Sequence, residues 1–111
     1  MTEETRIAVD AMGGDGGPSV IMPSIKDFLS THNDVKIEVF GDEDLIYKYT
    51  NKFEESILKN IKIIHTSEKV LSNDSPSHAL RHKKKSSMSL AIESVKNKNT
   101  QACVSAGNTG A

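Results

Sequence analysis

Two glycine-rich loops contain the residues whose types and spacing could support chemistry. The first loop follows the short apolar run 7–9 and contains Gly13 and Gly14. The second loop follows the apolar run 102–104, and its candidate ligand-binding residues are Ser105, Gly107, Asn108, Thr109 and Gly110. Glycines let the backbone approach a ligand closely, and backbone N–H groups where a loop meets a helix can hold an anion. We therefore predict a site for an anion at these loops, with ordinary turns as the alternative.

The first loop does not match the known nucleotide-binding patterns. Its glycines at positions 13, 14, 16 and 17 do not fit G-x-G-x-x-G, and no Walker A lysine follows them. We therefore predict no dinucleotide and no other cofactor. Asp10 and Asp15 flank the glycines, and we interpret them as groups that cap the next helix and fix the turn. Binding of a cation, or orientation of a ligand, is the alternative role for these two carboxylates.

A basic cluster is the strongest local charge feature of the chain. It places four formal positive charges within five residues, at Arg81, Lys83, Lys84 and Lys85. Such a run is most often a solvated helix face. The functional alternative is a contact surface for an acidic partner or for a phosphate group.

The elements that must position these residues alternate along the chain. Apolar runs and alternation predict strands at 7–9, 35–39, 61–64 and 102–104. Two helices are predicted to begin at a proline or a cap, one at Pro18 and one after Ser75. Another follows an N-cap at Asp42 and has an apolar stripe as far as Phe53, and a fourth lies along the apolar stripe 88–95. Strands that alternate with helices predict an α/β fold, a parallel sheet covered on both faces. Both loops would then lie at the carboxyl edge of the sheet, where such folds bind ligands.

Composition narrows the class of protein. The chain has 111 residues and a net charge of −1, which predicts one domain and no nucleic-acid partner. The single cysteine, Cys103, is interpreted as a small buried hydrophobe in a central strand, with no disulfide and a reducing, cytoplasmic location. The four histidines have no metal-ligand spacing, so no metal is predicted. No apolar run approaches the roughly 20 residues that span a bilayer.

Four motifs in register resemble one known family. They are IAVDAMGGD at 7–15, FGDE at 40–43, DSP, ALR and KKKSSM between 74 and 88, and VSAGNTGA at 104–111. Their order and spacing are similar to those of the amino-terminal part of the bacterial phosphate acyltransferases of phospholipid synthesis, the PlsX family. The chain departs from the family at Gly16 and Gly17, where bulkier residues are more usual before the proline.

The resemblance implies a function and a fold. The function is transfer of a long-chain acyl group from acyl carrier protein to inorganic phosphate, which gives an acyl phosphate. The fold is a three-layer α/β/α sandwich, mostly parallel, related to isocitrate and isopropylmalate dehydrogenases. A homodimer and peripheral contact with a membrane are also implied. Because family members are longer, we expect residues 1–111 to be the amino-terminal part of a single domain, cut after the fourth strand and inactive alone.

The placement of the loops and the charge of the basic cluster suggest roles for the candidate residues in this implied reaction. Asn108 and Thr109 are the candidate catalytic residues, and Gly13, Gly14, Ser105, Gly107 and Gly110 are the candidate phosphate contacts. Arg81, Lys84 and Lys85 are assigned to contact with phosphate or with the carrier protein. Three alternatives stay open: transfer from coenzyme A as in phosphotransacetylases, a dehydrogenase, and a non-catalytic module that binds a phosphorylated ligand or an acidic protein.

Overall fold

The computed structural model describes residues 4–14, 16–66 and 86–105, and four strands and four helices lie within these ranges. The strands are β1 (Thr5–Asp10), β2 (Val35–Gly41), β3 (Ile61–His65) and β4 (Ala102–Ser105). The helices are α1 (Pro18–Thr31), α2 (Glu43–Thr50), α3 (Glu55–Leu58) and α4 (Ser87–Lys96). All four predicted strands are confirmed, each one to three residues longer than its apolar run.

The four strands form one parallel sheet in the order β3-β2-β1-β4. Val9, the last residue but one of β1, pairs in register with Val39 of β2 and with Val104 of β4. Because side chains alternate along a strand, this register fixes which residues share a face of the sheet. Asp10 and Ser105 are also register partners, so their side chains point to the same face.

One face of the sheet is covered by α1, α2 and α3 through an apolar core. Three α1 residues, Met22, Ile25 and Leu29, are at most 5% exposed and pack toward β1 and β2. Alternation within β2 places Ile37 and Val39 in this core as well. Burial of these side chains supplies the main free energy of folding for this layer, at roughly 1.5–3 kcal/mol for each large apolar group.

The opposite face is covered by α4, which adds a polar contact to a small apolar cluster. Ala91 of α4 packs with Ala8 and Phe40 of the sheet. The Ser94 hydroxyl donates to Oε1 of the buried Glu38 at 3.2 Å, which ties α4 to β2. Helices on both faces of a parallel sheet confirm the predicted three-layer α/β arrangement. The relationship to isocitrate and isopropylmalate dehydrogenases stays a prediction.

Two helix starts follow the predicted signals, and one helix end does not. Helix α1 begins at Pro18, and the Asp42 carboxylate caps α2 by accepting from the Asp44 amide at 3.0 Å. The apolar stripe predicted one helix as far as Phe53, but α2 ends at Thr50. The Phe53 amide instead donates to the Thr50 carbonyl in a turn, and the short α3 follows. The helix predicted after Ser75 lies outside the described residues.

The prediction that Cys103 is buried in a central strand is wrong. Cys103 is exposed, because β4 lies at the edge of the described sheet and pairs only with β1 within it. Among the described residues, no helix is long and apolar enough to cross a membrane.

Candidate functional site

The strand order creates a switch point between β1 and β4. From β1 the chain moves outward to β2 and β3 on one side, and it then returns to place β4 on the other side. Loops that leave the carboxyl ends of such neighbouring strands diverge and open a crevice. The two loops that the sequence singled out follow these two strands, so the topology brings their starting points together.

The loop after β1 turns sharply at its glycines. The Ala11 amide still donates to the Phe40 carbonyl at 3.0 Å, which continues the sheet by one residue. Beyond it, Gly13 is buried and Gly14 is exposed with a φ of 77°. Residues with a side chain rarely adopt a positive φ, so Gly14 is needed for this turn.

Asp10 lies at the centre of the site and is 2% exposed. Its Oδ1 accepts from the Met12 amide at 2.9 Å and from the Ser87 hydroxyl at 2.5 Å. Its Oδ2 accepts from the Ser105 hydroxyl at 2.7 Å. One carboxylate therefore joins the end of β1, the loop after it, the start of α4 and the end of β4.

The start of α4 is built from serines. Ser86 is fully buried and caps the helix, because its hydroxyl oxygen accepts from the Ser89 amide at 3.1 Å. Ser87, the first helical residue, is 1% exposed and directs its hydroxyl to Asp10. The amino-terminal end of a helix carries a partial positive charge, so the Asp10 carboxylate lies at the favourable end of the α4 dipole.

The buried carboxylate has no cation beside it among the described residues. The ion pairs in this part of the chain join Glu4 to Arg6 and to Lys36, away from the site. Within 4–14, 16–66 and 86–105, the groups that face the Asp10 carboxylate are three neutral donors and the amino-terminal end of α4. A carboxylate this deeply buried at the switch point of the described sheet is a candidate for function.

Three of the predicted site residues fall within the described residues. Gly13 and Gly14 follow β1 and Ser105 ends β4, so adjacent strands bring all three to one edge of the sheet. The other predicted site residues lie outside the described ranges: Arg81, Lys84, Lys85, Gly107, Asn108, Thr109 and Gly110.

Sequence reasoning missed two parts of the site. It assigned Asp10 to the turn and to the cap of the next helix. The hydrogen bond from the Met12 amide confirms the turn, but the cap is wrong for Asp10, because α1 begins after Gly17 with no side-chain cap. The sequence also did not connect Asp10 to any serine. It also assigned nothing to Ser86 and Ser87, although two serines just before an apolar stripe are an N-cap signal. Within 4–14, 16–66 and 86–105, no group of three or more histidine, cysteine or acidic residues could hold a metal ion.

The fold and the site define a parallel α/β protein with a glycine loop and a buried carboxylate at the switch point of its sheet. Residues 5–111 match the model of the family described as fatty acid synthesis protein. The chain belongs to this family, and the resemblance predicted from the four motifs is confirmed.

Curated relatives carry a more specific name. The chain is 51% identical over 105 residues to a phosphate acyltransferase of Shewanella baltica strain OS155. It is 47% identical over 105 residues to the phosphate acyltransferase of Shewanella sediminis strain HAW-EB3. Each alignment covers 95% of this chain but 31% of the relative, so the chain spans about a third of the length of these proteins.

Proposed function

We propose that this chain forms the amino-terminal third of a phosphate acyltransferase, called the full-length enzyme below. It transfers a long-chain acyl group from acyl carrier protein to inorganic phosphate and supplies acyl phosphate for phospholipid synthesis. The observation that carries this proposal is the 51% identity over 105 residues to a protein named phosphate acyltransferase. The choice of acyl carrier protein as donor rests on the family resemblance of the motifs.

The proposed reaction makes modest chemical demands on the protein. An oxygen of phosphate attacks the thioester carbonyl, a tetrahedral oxyanion forms, and the C–S bond breaks as the thiolate leaves. A thiol has a pKa near ~8.5, so the leaving group needs little help from an acid. The site must mainly hold phosphate against the carbonyl and stabilise the oxyanion.

The two loops at the switch point suit these demands. Gly13 and Gly14 form one wall, and Ser105 begins the facing wall at the neighbouring strand. We assign phosphate contacts to the backbone N–H groups of both loops, including those at Gly107 and Gly110. We assign stabilisation of the oxyanion to Asn108 and Thr109, which lie outside the described residues.

The remaining assignments concern partners. We propose that Arg81, Lys84 and Lys85, also outside the described residues, meet the acidic carrier protein or neutralise phosphate. A homodimer and peripheral contact with a membrane complete the proposal, and these two parts rest on the resemblance alone. The proposed cytoplasmic location rests on the single cysteine.

The test is formation of acyl phosphate by the full-length enzyme, trapped with hydroxylamine as the hydroxamate. Palmitoyl-acyl carrier protein is supplied with and without inorganic phosphate, and acetyl-coenzyme A is supplied in parallel. Product that requires phosphate and the carrier-protein donor supports the proposal. Product from acetyl-coenzyme A alone would assign the enzyme to the phosphotransacetylase class, and no product from either donor would favour a binding module. The 111-residue chain assayed alone is expected to be inactive.

A further inference from the structure

The side chain of Met12 holds the loop after β1 against the end of β2. It lies directly over Gly41, where a Cβ would come within 2.9 Å of Met12 Cγ and 3.0 Å of Met12 Sδ. The thioether is a weak acceptor, and the Asp42 amide donates to its sulfur at 3.4 Å. The glycine at position 41 therefore leaves room for a side chain that comes from the neighbouring strand end, 30 positions away from Asp42 in the chain.

The Asp42 amide belongs to a helix start that is itself held in place. The Asp42 carboxylate caps α2 by accepting from the Asp44 amide at 3.0 Å. The Glu43 amide donates at 3.1 Å to Nδ1 of His65, the last residue of β3. The Met12 thioether thus joins the glycine loop to a helix start that the ends of β2 and β3 both anchor.

Met12 is held through its backbone as well as through its side chain. Its amide donates to Asp10 Oδ1 at 2.9 Å, while its sulfur accepts from the Asp42 amide on the side of β2. Gly13 and Gly14 follow directly and have no side chains with which to make contacts of their own. Glycine also has the greatest backbone freedom of all residues, so the direction of this pair depends on how the residue before it is held.

We propose that Met12 is a positioning residue whose thioether holds Gly13 and Gly14 in the arrangement that binds phosphate. This inference rests on the proposed function, which assigns phosphate contacts to the backbone N–H groups of these two glycines. Without the sulfur contact, the loop occupies that arrangement for a smaller fraction of the time. The apparent affinity for phosphate falls in proportion to this fraction, whereas the chemical step in the occupied enzyme is unchanged. Met12 therefore acts on phosphate binding rather than on turnover.

The deciding variant is Met12→Leu in the full-length enzyme, because it removes the sulfur and nearly keeps the volume of the side chain. Exchange of methionine for leucine is among the best tolerated changes in a packed region, so the variant should fold. The backbone amide of residue 12 can still donate to Asp10, so only the side-chain contact is tested. We expect the KM for phosphate to rise by about fivefold, the effect of one ordinary hydrogen bond, with little change in kcat.

Two further variants separate this role from a purely structural one. Met22→Leu makes the same chemical change in the core beneath α1, where Met22 is fully buried, and it should leave the phosphate KM unchanged. Gly41→Ala disturbs the same contact from the side of β2, because the added methyl group takes the space of the thioether. It should raise the phosphate KM as well, and the double variant with Met12→Leu should show less than the product of the two effects.

Three results would overturn the inference. The first is an unchanged phosphate KM in Met12→Leu, and the second is an equal rise in Met22→Leu. The third is a fall in kcat with an unchanged phosphate KM in Met12→Leu, because that pattern identifies a side chain that supports the fold and does not position the loop.

Two measurements that need no turnover keep this inference distinct from the proposed function. In the enzyme without ligand, the amides of Met12 and Asp42, both hydrogen-bonded in the structure, should exchange faster in Met12→Leu than in the unmodified enzyme. Calorimetric titration with inorganic phosphate should show the same loss of affinity as the KM. These two results support the inference even if no acyl phosphate forms, which would count against the proposed reaction alone. Unchanged exchange at both amides overturns the inference even if acyl phosphate does form, and no binding of phosphate by the unmodified enzyme overturns both.

Discussion

Ser87 lies 77 positions after Asp10 in the chain, and its hydroxyl donates to Asp10 Oδ1 at 2.5 Å. The contact joins the last residue of β1 to the first residue of α4, and both side chains are at least 98% buried. It therefore fixes the start of a helix against the strand that lies at the switch point. The geometry of the glycine loop depends on this junction, because Met12 donates to the same carboxylate oxygen.

We predict that Ser87→Ala destabilises the junction by about 1–3 kcal/mol, because Asp10 loses a donor in a buried place. The matched control is Ser89→Ala, two residues along the same helix. The Ser89 hydroxyl is buried and has no hydrogen-bond partner among the described residues. Its removal should therefore leave the free energy of unfolding unchanged or raise it. Native-state hydrogen exchange at the amides of β1 and α4 in the full-length enzyme measures both effects. Equal losses in the two variants would contradict the assigned role of Ser87.

Gly41 gives a second prediction, from a close approach at the end of β2. A Cβ at this position would lie 2.9 Å from Met12 Cγ and 3.2 Å from Ile46 Cδ1, and Ile46 is fully buried. Gly41→Ala should therefore destabilise the enzyme by about 1–3 kcal/mol through overpacking, and it should displace Met12. Removing the Met12 side chain relieves this crowding.

The measurement for Gly41 is a double-mutant cycle with Met12→Ala, followed by hydrogen exchange at the amides of β2. Gly41→Ala should lower the free energy of unfolding by less in the Met12→Ala background than in the unmodified enzyme. The coupling energy should therefore have the opposite sign to the effects of the two single variants. Strictly additive costs would mean that the crowding involves Ile46 alone.

The sequence could predict the elements because their signals are local. Val35, Ile37 and Val39 alternate with polar residues, and all three are buried in β2. Asp42 was predicted as an N-cap because its side chain needs only an amide two residues away. Such contacts depend on residues close together in the chain, so the local sequence pattern is enough to predict the strand and the helix start.

The parts that could not be predicted depend on which strands become neighbours. The exposure of Cys103 accompanies the edge position of β4 in the described sheet, and no local pattern encodes strand order. The hydrogen bond between Ser105 and Asp10 could not be predicted either, because it joins residues 95 positions apart that only the strand order brings together. The end of α2 was misplaced for a different reason, since an apolar stripe shows which face is buried but not where a turn replaces the helix.

A third prediction concerns Asn108, which the proposed function assigns to the oxyanion. Asn108→Ala in the full-length enzyme should lower kcat by about 10²–10³, the usual effect of losing one donor to a developing oxyanion. The KM for phosphate should change little, because the donor acts mainly in the transition state. The control is Asn97→Ala at the exposed end of α4, which should retain full turnover. Unchanged turnover in Asn108→Ala would refute the assignment.

A fourth prediction concerns the basic cluster and separates contact with the carrier protein from contact with phosphate and from a solvated surface. Reversal of charge in Lys84→Glu/Lys85→Glu should raise the KM for palmitoyl-acyl carrier protein by about tenfold at low salt, because like charges now meet at the contact. The effect should shrink as salt screens the surface. Lys48→Glu/Lys52→Glu is the matched control, since both lysines are exposed on or just after α2, away from the switch point. A rise in the phosphate KM alone would instead assign the cluster to phosphate, and no change in either constant would identify it as a solvated surface.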